Sequence, residues 1–234
     1  FLNDTWVLSL SEDAAWTPVT PGVALPPARA YHSAIHDPVR DRMIVFGGYN
    51  GAPLNDVWAL SLSDTPAWTQ LTPAGTPPSP RYGHSAVYDP VRDRMIVFGG
   101  SGTAYVYLNE VWSLTLGNDL AWSQLAPAGS APPGRLYHSA IYDPVRDRMI
   151  VYGGAYMDGG YVPLAFPDVW GLALGGEPTW GQLFPAGAPP SRLYHSAIYD
   201  PVRDRMVVFG GYSHSYYVET SLADTWGLPL GGTP

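Results

Sequence analysis

The stretch RLYHSAIYDPVRDRMVVFGG, Arg192 to Gly211, decides the fold, because close copies of it begin at Arg29, Arg81 and Arg135. The first histidine of each copy falls at His32, His84, His138 and His195, so the period runs 52, 54 and 57 residues while the motif hardly changes. Insertions therefore lie outside the motif. Self-similarity at a period of about 50 residues, with a glycine pair and a tryptophan in every unit, marks a repeat architecture whose units bury their apolar faces against one another.

Each copy divides into two strands. HSAIYD is a short, largely apolar strand, DPVRDR has the proline, aspartate and charge of a hairpin turn, and RMIVFGG is a buried-strand run stopped by two glycines. A second, looser pair follows. D/E-x-W-x-L-x-L appears around Trp6, Trp58, Trp112, Trp170 and Trp226, and A/T-W-x-x-L/V around Trp16, Trp68, Trp122 and Trp180. Four strands per period make one blade.

An apolar run, then Gly47-Gly48 (also Gly99-Gly100, Gly153-Gly154 and Gly210-Gly211), then a tryptophan on the next strand resembles the Kelch repeat, over essentially the whole chain. The tyrosine that Kelch units usually carry between these marks is not regularly spaced here; Leu54, Leu108, Phe166 and Leu222 stand four residues before the tryptophans instead. The resemblance implies an all-β fold, a β-propeller of four-stranded antiparallel blades. The expected division is one propeller with an N-terminal half-blade at 1–28, blades at 29–80, 81–134 and 135–191, and a partial blade at 192–234. Because that last unit has no tryptophan-bearing fourth strand, AAWTPV near the N-terminus is expected at its outer edge, in the same chain or a neighbouring one. Either the ring closes with four blades and one of the two copies of the third strand is displaced, or, the preferred reading, the chain is a fragment of a larger ring or one member of an assembly, self-associating through its incomplete terminal blades.

Composition narrows the function. All twelve basic residues are arginines inside the motif, against twenty carboxylates, for a net charge of −8. Such a chain offers no basic stripe for phosphates, and nucleic acid is not an expected partner. With no cysteine, no disulfide supports the fold and the compartment is left open between secreted and cytosolic origins, an extracellular or periplasmic setting being preferred. No apolar run reaches membrane-spanning length, and membrane insertion is not expected.

The four motif histidines would encircle the channel and could hold a transition metal, but their identical repetition beside an arginine favours hydrogen bonds that tie blade to blade. Likewise the Asp-Pro and Arg-Asp-Arg of each turn read as turn capping and ion pairing, without the oxygen density of a calcium loop. No metal and no cofactor is expected. The copper chemistry of galactose oxidase, which shares this type of propeller, needs a cysteine-crosslinked tyrosine that this chain cannot form. Catalysis is therefore not expected. What varies is the segment between second and third strands, rich in tyrosine with Ser, Gly and Asn, a composition resembling that of a paratope. The candidate ligand-binding residues are Tyr49, Asn50, Tyr105, Tyr107, Tyr156, Asp158, Tyr161, Phe166, Tyr212, His214, Tyr216 and Tyr217. A binding or scaffold module for a protein or glycan is the expected function, with assembly through incomplete blades as the alternative and a sugar-acting enzyme behind both.

Overall fold

The computed structural model describes residues 1–234 except 11–12, 21, 23, 158–162, 188, 216–217 and 232–234; the side chains of 214, 215, 218 and 219 are also outside it. An N-terminal hairpin pairs β1 (Thr5–Leu8) with β2 (Trp16–Val19). The first blade is β3 (Ser33–Asp37), β4 (Arg42–Tyr49), β5 (Pro53–Ser61) and β6 (Trp68–Leu71); the second is β7 (Ser85–Asp89), β8 (Arg94–Phe98), β9 (Val111–Thr115) and β10 (Trp122–Leu125). In the third, β11 (Ser139–Asp143) and β12 (Arg148–Tyr152) precede a small hairpin of β13 (Ala155–Met157) and β14 (Pro163–Ala165), then β15 (Val169–Ala173) and β16 (Thr179–Leu183). The fourth has three strands, β17 (Ser196–Asp200), β18 (Arg205–Ser215) and β19 (Val218–Pro229). Each sheet is an antiparallel meander, and the inner strands β3, β7, β11 and β17 pack side by side in that order. The molecule is a β-propeller of four blades. Apart from one 3-10 turn at Thr103–Tyr105, the described residues contain no helix.

The N-terminal hairpin stands beside the first blade and not at the edge of the fourth. Within this chain β2 pairs with β1 and not with β19. The cause is local: the Leu2 carbonyl accepts from the Arg29 N–H at 3.0 Å, as the Leu54 carbonyl accepts from Arg81 at 2.8 Å, which anchors the hairpin beside the first blade in the place of a preceding blade's outer strands.

Strand alternation puts Ile35, Ile44, Phe46 and Val57 on one face of the first blade, where they meet Met95, Val97, Trp112, Leu114, Leu116 and Trp122 of the second. The same two sets recur between second and third blades, and between third and fourth. The core is thus a series of sandwiches, each closed by polar ties. Ser33 Oγ lies 2.8 Å from His84 Nε2, Ser85 Oγ 2.8 Å from His138 Nε2 and Ser139 Oγ 2.7 Å from His195 Nε2, so each histidine links two blades. At the turns Asp37, fully buried, accepts from the backbone N–H of Val39 and Arg40, while Arg40 reaches across to Asp93 of the next blade. Arg92–Asp147 and Arg146–Asp204 repeat that crossing.

The motif's first arginine works within its own blade. Arg135 is fully buried and donates to the Pro133 carbonyl, to the Gly153 carbonyl at 2.9 Å and in bidentate fashion to Asp168 at 2.6 and 2.9 Å. Asp168 also accepts from Trp170 Nε1 at 2.7 Å, which explains the acidic residue two before each third-strand tryptophan. Burial alone would raise the Asp168 carboxyl, but the bonds from Arg135 and Trp170 hold it below the usual range. Arg135→Leu would leave that carboxylate without its counter-ion and take from two carbonyls the bonds the guanidinium gives them, and chemical denaturation should show a loss of about 3–5 kcal/mol.

Burial, with the nearby Arg81, pushes His84 down to about 3, and burial with Arg192 pushes His195 down to about 4. His138 moves the same way. Folding therefore favours the neutral imidazoles, and their contribution is fully present above the unfolded-state value of about 6.5 and lost as pH falls from there toward the folded values. Melting curves taken between neutral pH and about pH 4.5 should show stability falling by on the order of 1 kcal/mol per buried histidine per pH unit. A flat profile over that window would count against neutral, buried histidines.

Candidate functional site: a tyrosine-lined basin

The residue before each motif histidine is held in the left-handed region, with φ of 58° at Tyr31, 65° at Gly83, 58° at Tyr137 and 59° at Tyr194. For a bulky side chain this is an uncommon and strained state, favoured when surrounding structure imposes it. Two sets of bonds impose it here. The preceding residue bridges the segment after the glycine pair, as in Ala30 with Tyr49, Tyr82 with Ser101, Leu136 with Ala155 and Leu193 with Tyr212. Meanwhile the Gly83 N–H donates to the Tyr31 carbonyl at 2.9 Å, Tyr137 to Gly83 at 2.7 Å and Tyr194 to Tyr137 at 3.0 Å, an inter-blade chain of backbone bonds.

The rings converge as a result. Tyr137 and Tyr194 have centroids 4.0 Å apart, Tyr31 lies 5.2 Å from Tyr137 and 6.3 Å from Tyr194, and Tyr82 lies 6.2 Å from Tyr31 and 5.3 Å from Tyr49. Beside this cluster opens a basin of about 450 Å³, lined by Tyr31, Tyr82 and Tyr137 together with loop residues that include Tyr49, Pro53 and Tyr105. That volume falls in the range of ligand pockets, which run from about 300 to 1,000 Å³. Among the described residues no charged side chain lines it. Burial raises the Tyr82 hydroxyl, and burial with the hydroxyl contact to Tyr194 raises that of Tyr137 far above its ordinary value, so both are neutral donors.

The structure sorts the residues singled out from sequence into separate groups. Tyr49 and Tyr105 line the basin, Tyr105 as an exposed ring on the 3-10 turn, and Asn50 is exposed next to Tyr49. Tyr107, Tyr156 and Phe166 form a second cluster, with Tyr156 6.4 Å from Tyr107 and 5.5 Å from Phe166. Phe166 is stacked on the buried Arg135, whose Cζ lies 4.2 Å from the ring centroid, so within this cluster Phe166 covers the arginine clamp of the third blade. Tyr212 sits on β18 and pairs through its backbone with Leu193. Asp158, Tyr161, Tyr216 and Tyr217 lie outside the described residues, as does the side chain of His214. Tyr31, Tyr82, Tyr137 and Tyr194 were not singled out. A signal existed: tyrosine stands at one motif position in three copies and glycine, as Gly83, in the other. A position shared by Tyr and Gly hints at positive φ.

Among the described residues no group of three or more His, Cys, Asp or Glu is placed to hold a metal. His84, His138 and His195 are buried between blades against serines, not gathered around the channel as a metal ring would require.

Residues 2–224 match the family described as the Attractin/LZTR1 β-propeller. The chain belongs to this Kelch-type propeller family. Adagio protein 3 of Arabidopsis thaliana is 30% identical over 95% of this chain and 35% of its own length. An F-box/kelch-repeat protein of the same plant is 31% identical over 90% of this chain and 49% of its own, and the leucine-zipper-like transcriptional regulator 1 homolog of Drosophila melanogaster 35% identical over 74% and 17%. The propeller thus spans at most about half the length of these relatives. Among solved structures that of YjhT shares the fold, with a TM-score of 0.68 and 18% identity over 90% of this chain and 67% of that one.

In this Kelch-type propeller Gly83 makes room for the cluster: a Cβ there would come within 2.9 Å of the Tyr137 ring, at a φ of 65°. Gly83→Ala should lower stability by about 1–3 kcal/mol in denaturant titration and alter the near-ultraviolet tyrosine signal. Unchanged stability and spectrum would show the ring packing to be loose.

Proposed function

We propose that this chain is a non-catalytic binding module that takes a neutral protein segment in the tyrosine-lined basin. One observation carries the reading: two of the basin's rings, Tyr31 and Tyr137, are held in left-handed backbone, and Tyr31 stays half exposed where an apolar side chain would do better buried. Strain kept at a solvent-facing ring is a hallmark of ligand clamps. Tyrosine supplies wide, stiff contact area with a hydroxyl donor at its tip, which suits apolar side chains and backbone carbonyls together. With no charge on the lining, selectivity rests on shape and hydrogen bonding rather than on steering.

A neutral glycan, the other ligand expected from sequence, has less support, because among the described residues no carboxylate or side-chain amide lines the basin to bind sugar hydroxyls. Support for an enzyme is weaker still, since the lining offers no acid–base pair. One relative is named serine/threonine-protein phosphatase BSL2, but the match covers only 19% of that protein.

Two changes separate binding from folding. Replacing Tyr49 and Tyr105 by alanine should weaken binding of a peptide selected from a display library by about 2 kcal/mol or more while leaving the melting temperature in place. Tyr31→Gly relieves the left-handed strain, so its stability should hold or rise while affinity falls. Peptide binding indifferent to both changes, measured by calorimetry, would refute the basin as the site. Selection of glycans and no peptides would replace the protein segment with a sugar.

A further inference from the structure

The polar side chains around the basin are of one kind. Among the described residues they are five tyrosines and Thr103, so each of them is a hydroxyl. A phenol donates a hydrogen bond well and accepts one poorly, because its oxygen lone pairs are drawn into the ring. An ordinary peptide entering here would strip water from its backbone N–H groups and find weak side-chain acceptors in return, while its carbonyls would be well received. Proline alone among the amino acids brings a backbone carbonyl without an N–H.

The chain holds its own proline pairs by the same exchange. Tyr152, buried at the end of β12, donates its hydroxyl to the Pro190 carbonyl at 2.8 Å, with the Pro189 carbonyl 3.3 Å away. In the other two linkers Asn55 Nδ2 donates to the Pro78 carbonyl at 3.2 Å and Arg135 Nε to that of Pro133 at 3.2 Å. Each time the second proline of a Pro-Pro pair gives its carbonyl to a side-chain donor and requires no acceptor for itself. The spacing of the basin's rings suits such a segment. Tyr137, Tyr31, Tyr82 and Tyr49 follow one another with centroids 5.2, 6.2 and 5.3 Å apart. A polyproline II helix rises about 3.1 Å per residue, so alternate residues stand about 6 Å apart, close to the step from one ring to the next. Tyr105 adds an exposed ring whose backbone is also left-handed, with φ of 58° after 60° at Ala104. Three of the five tyrosines, Tyr31, Tyr105 and Tyr137, are thus fixed in place by backbone of this kind before a ligand arrives, which lowers the ordering cost of binding.

Resting on the reading of the basin as a peptide site, we propose that its ligand is a proline-rich segment of a partner protein in the polyproline II conformation. Tyrosine hydroxyls bind the carbonyls of that segment, and its pyrrolidine rings seat between the tyrosine rings. A polyproline II segment is extended before it binds and loses little freedom on docking to an aromatic-lined groove. It also brings no charge, which agrees with a lining that has none among the described residues. The proline pairs of the linkers are already engaged within their own blades, so they are not the occupant.

Calorimetric titration of the 234-residue chain with an acetylated, amidated decaproline supplies the test. Decaproline is expected to bind at least about tenfold more tightly than a Gly-Ser peptide of equal length, whose flexible backbone carries an N–H at every residue. Tyr49→Phe and Tyr105→Phe together keep both rings and remove two donors, and they should weaken decaproline about tenfold with the melting temperature unchanged. Within the peptide, a central proline replaced by alanine, which restores an N–H, should cost at least about threefold more affinity than one replaced by N-methylglycine, which does not. Peptides taken from the display library separate this inference from the reading beneath it. If they depend on Tyr49 and Tyr105 but carry no proline run, and decaproline does not bind, the proline ligand is overturned and the basin remains a peptide site. Peptide binding indifferent to Tyr49 and Tyr105 overturns both. Decaproline that binds equally well to the double phenylalanine variant, or that tolerates alanine as well as N-methylglycine, overturns the proposal on its own.

Discussion

A buried arginine at the head of each motif is the constraint on which the blades depend. Its guanidinium binds the acidic residue of the third strand, the carbonyl of the first glycine in the pair and a carbonyl of the proline-rich linker, so one side chain gathers three segments of its own blade. Its backbone looks the other way. The Arg81 carbonyl accepts from the Gly48 N–H of the preceding blade at 2.9 Å, and Arg135 and Arg192 do the same for Gly100 and Gly154. The glycine pair follows from this approach: a Cβ on Gly47 would stand 2.8 Å from the Arg81 carbonyl oxygen, and one on Gly48 2.8 Å from that of Ala30. A desolvated charge is costly unless fully bonded, and here the bonding that satisfies it also sets the blade's geometry.

With the arginines committed inside blades and the histidines between them, the repeated motif is occupied with architecture. The DPVRDR turns are likewise filled by their own aspartate caps and by Arg–Asp crossings that, in the first three turns, are only partly exposed. Freedom is left at the segments between second and third strands and at the residue before each histidine. In the first two blades those two places meet around the basin, so a rigid frame presents side chains that the frame does not itself require. Phe166, stacked on Arg135 and on Tyr156, shows the contrary use of an aromatic ring from the same kind of segment, covering a clamp.

A propeller built from one interface repeated in series has no natural stopping point other than closure. Every blade offers one face to its predecessor and the complementary face to its successor, which is why one motif, repeated with little change, serves all three interfaces of this chain.

The sequence by itself determined the repeat, the four strands of each unit and the propeller, because apolar alternation, turn chemistry and the glycine pair are local and recur four times. It also pointed to histidine as an inter-blade tie, since identical side chains in every unit suit a contact made between units. The partner of the first arginine was not legible, as Asp56, Glu110, Asp168 and Asp224 stand 27 to 33 residues downstream of it. Nor was the basin. Tyr31 and Tyr137 look like ordinary motif residues until the backbone bonds of neighbouring blades force them to positive φ and turn their rings inward. Tertiary structure alone decided which tyrosines share the basin and which stack elsewhere, as Tyr156 does on Phe166, because that depends on how far each loop leans toward its neighbour, and composition carries no record of direction.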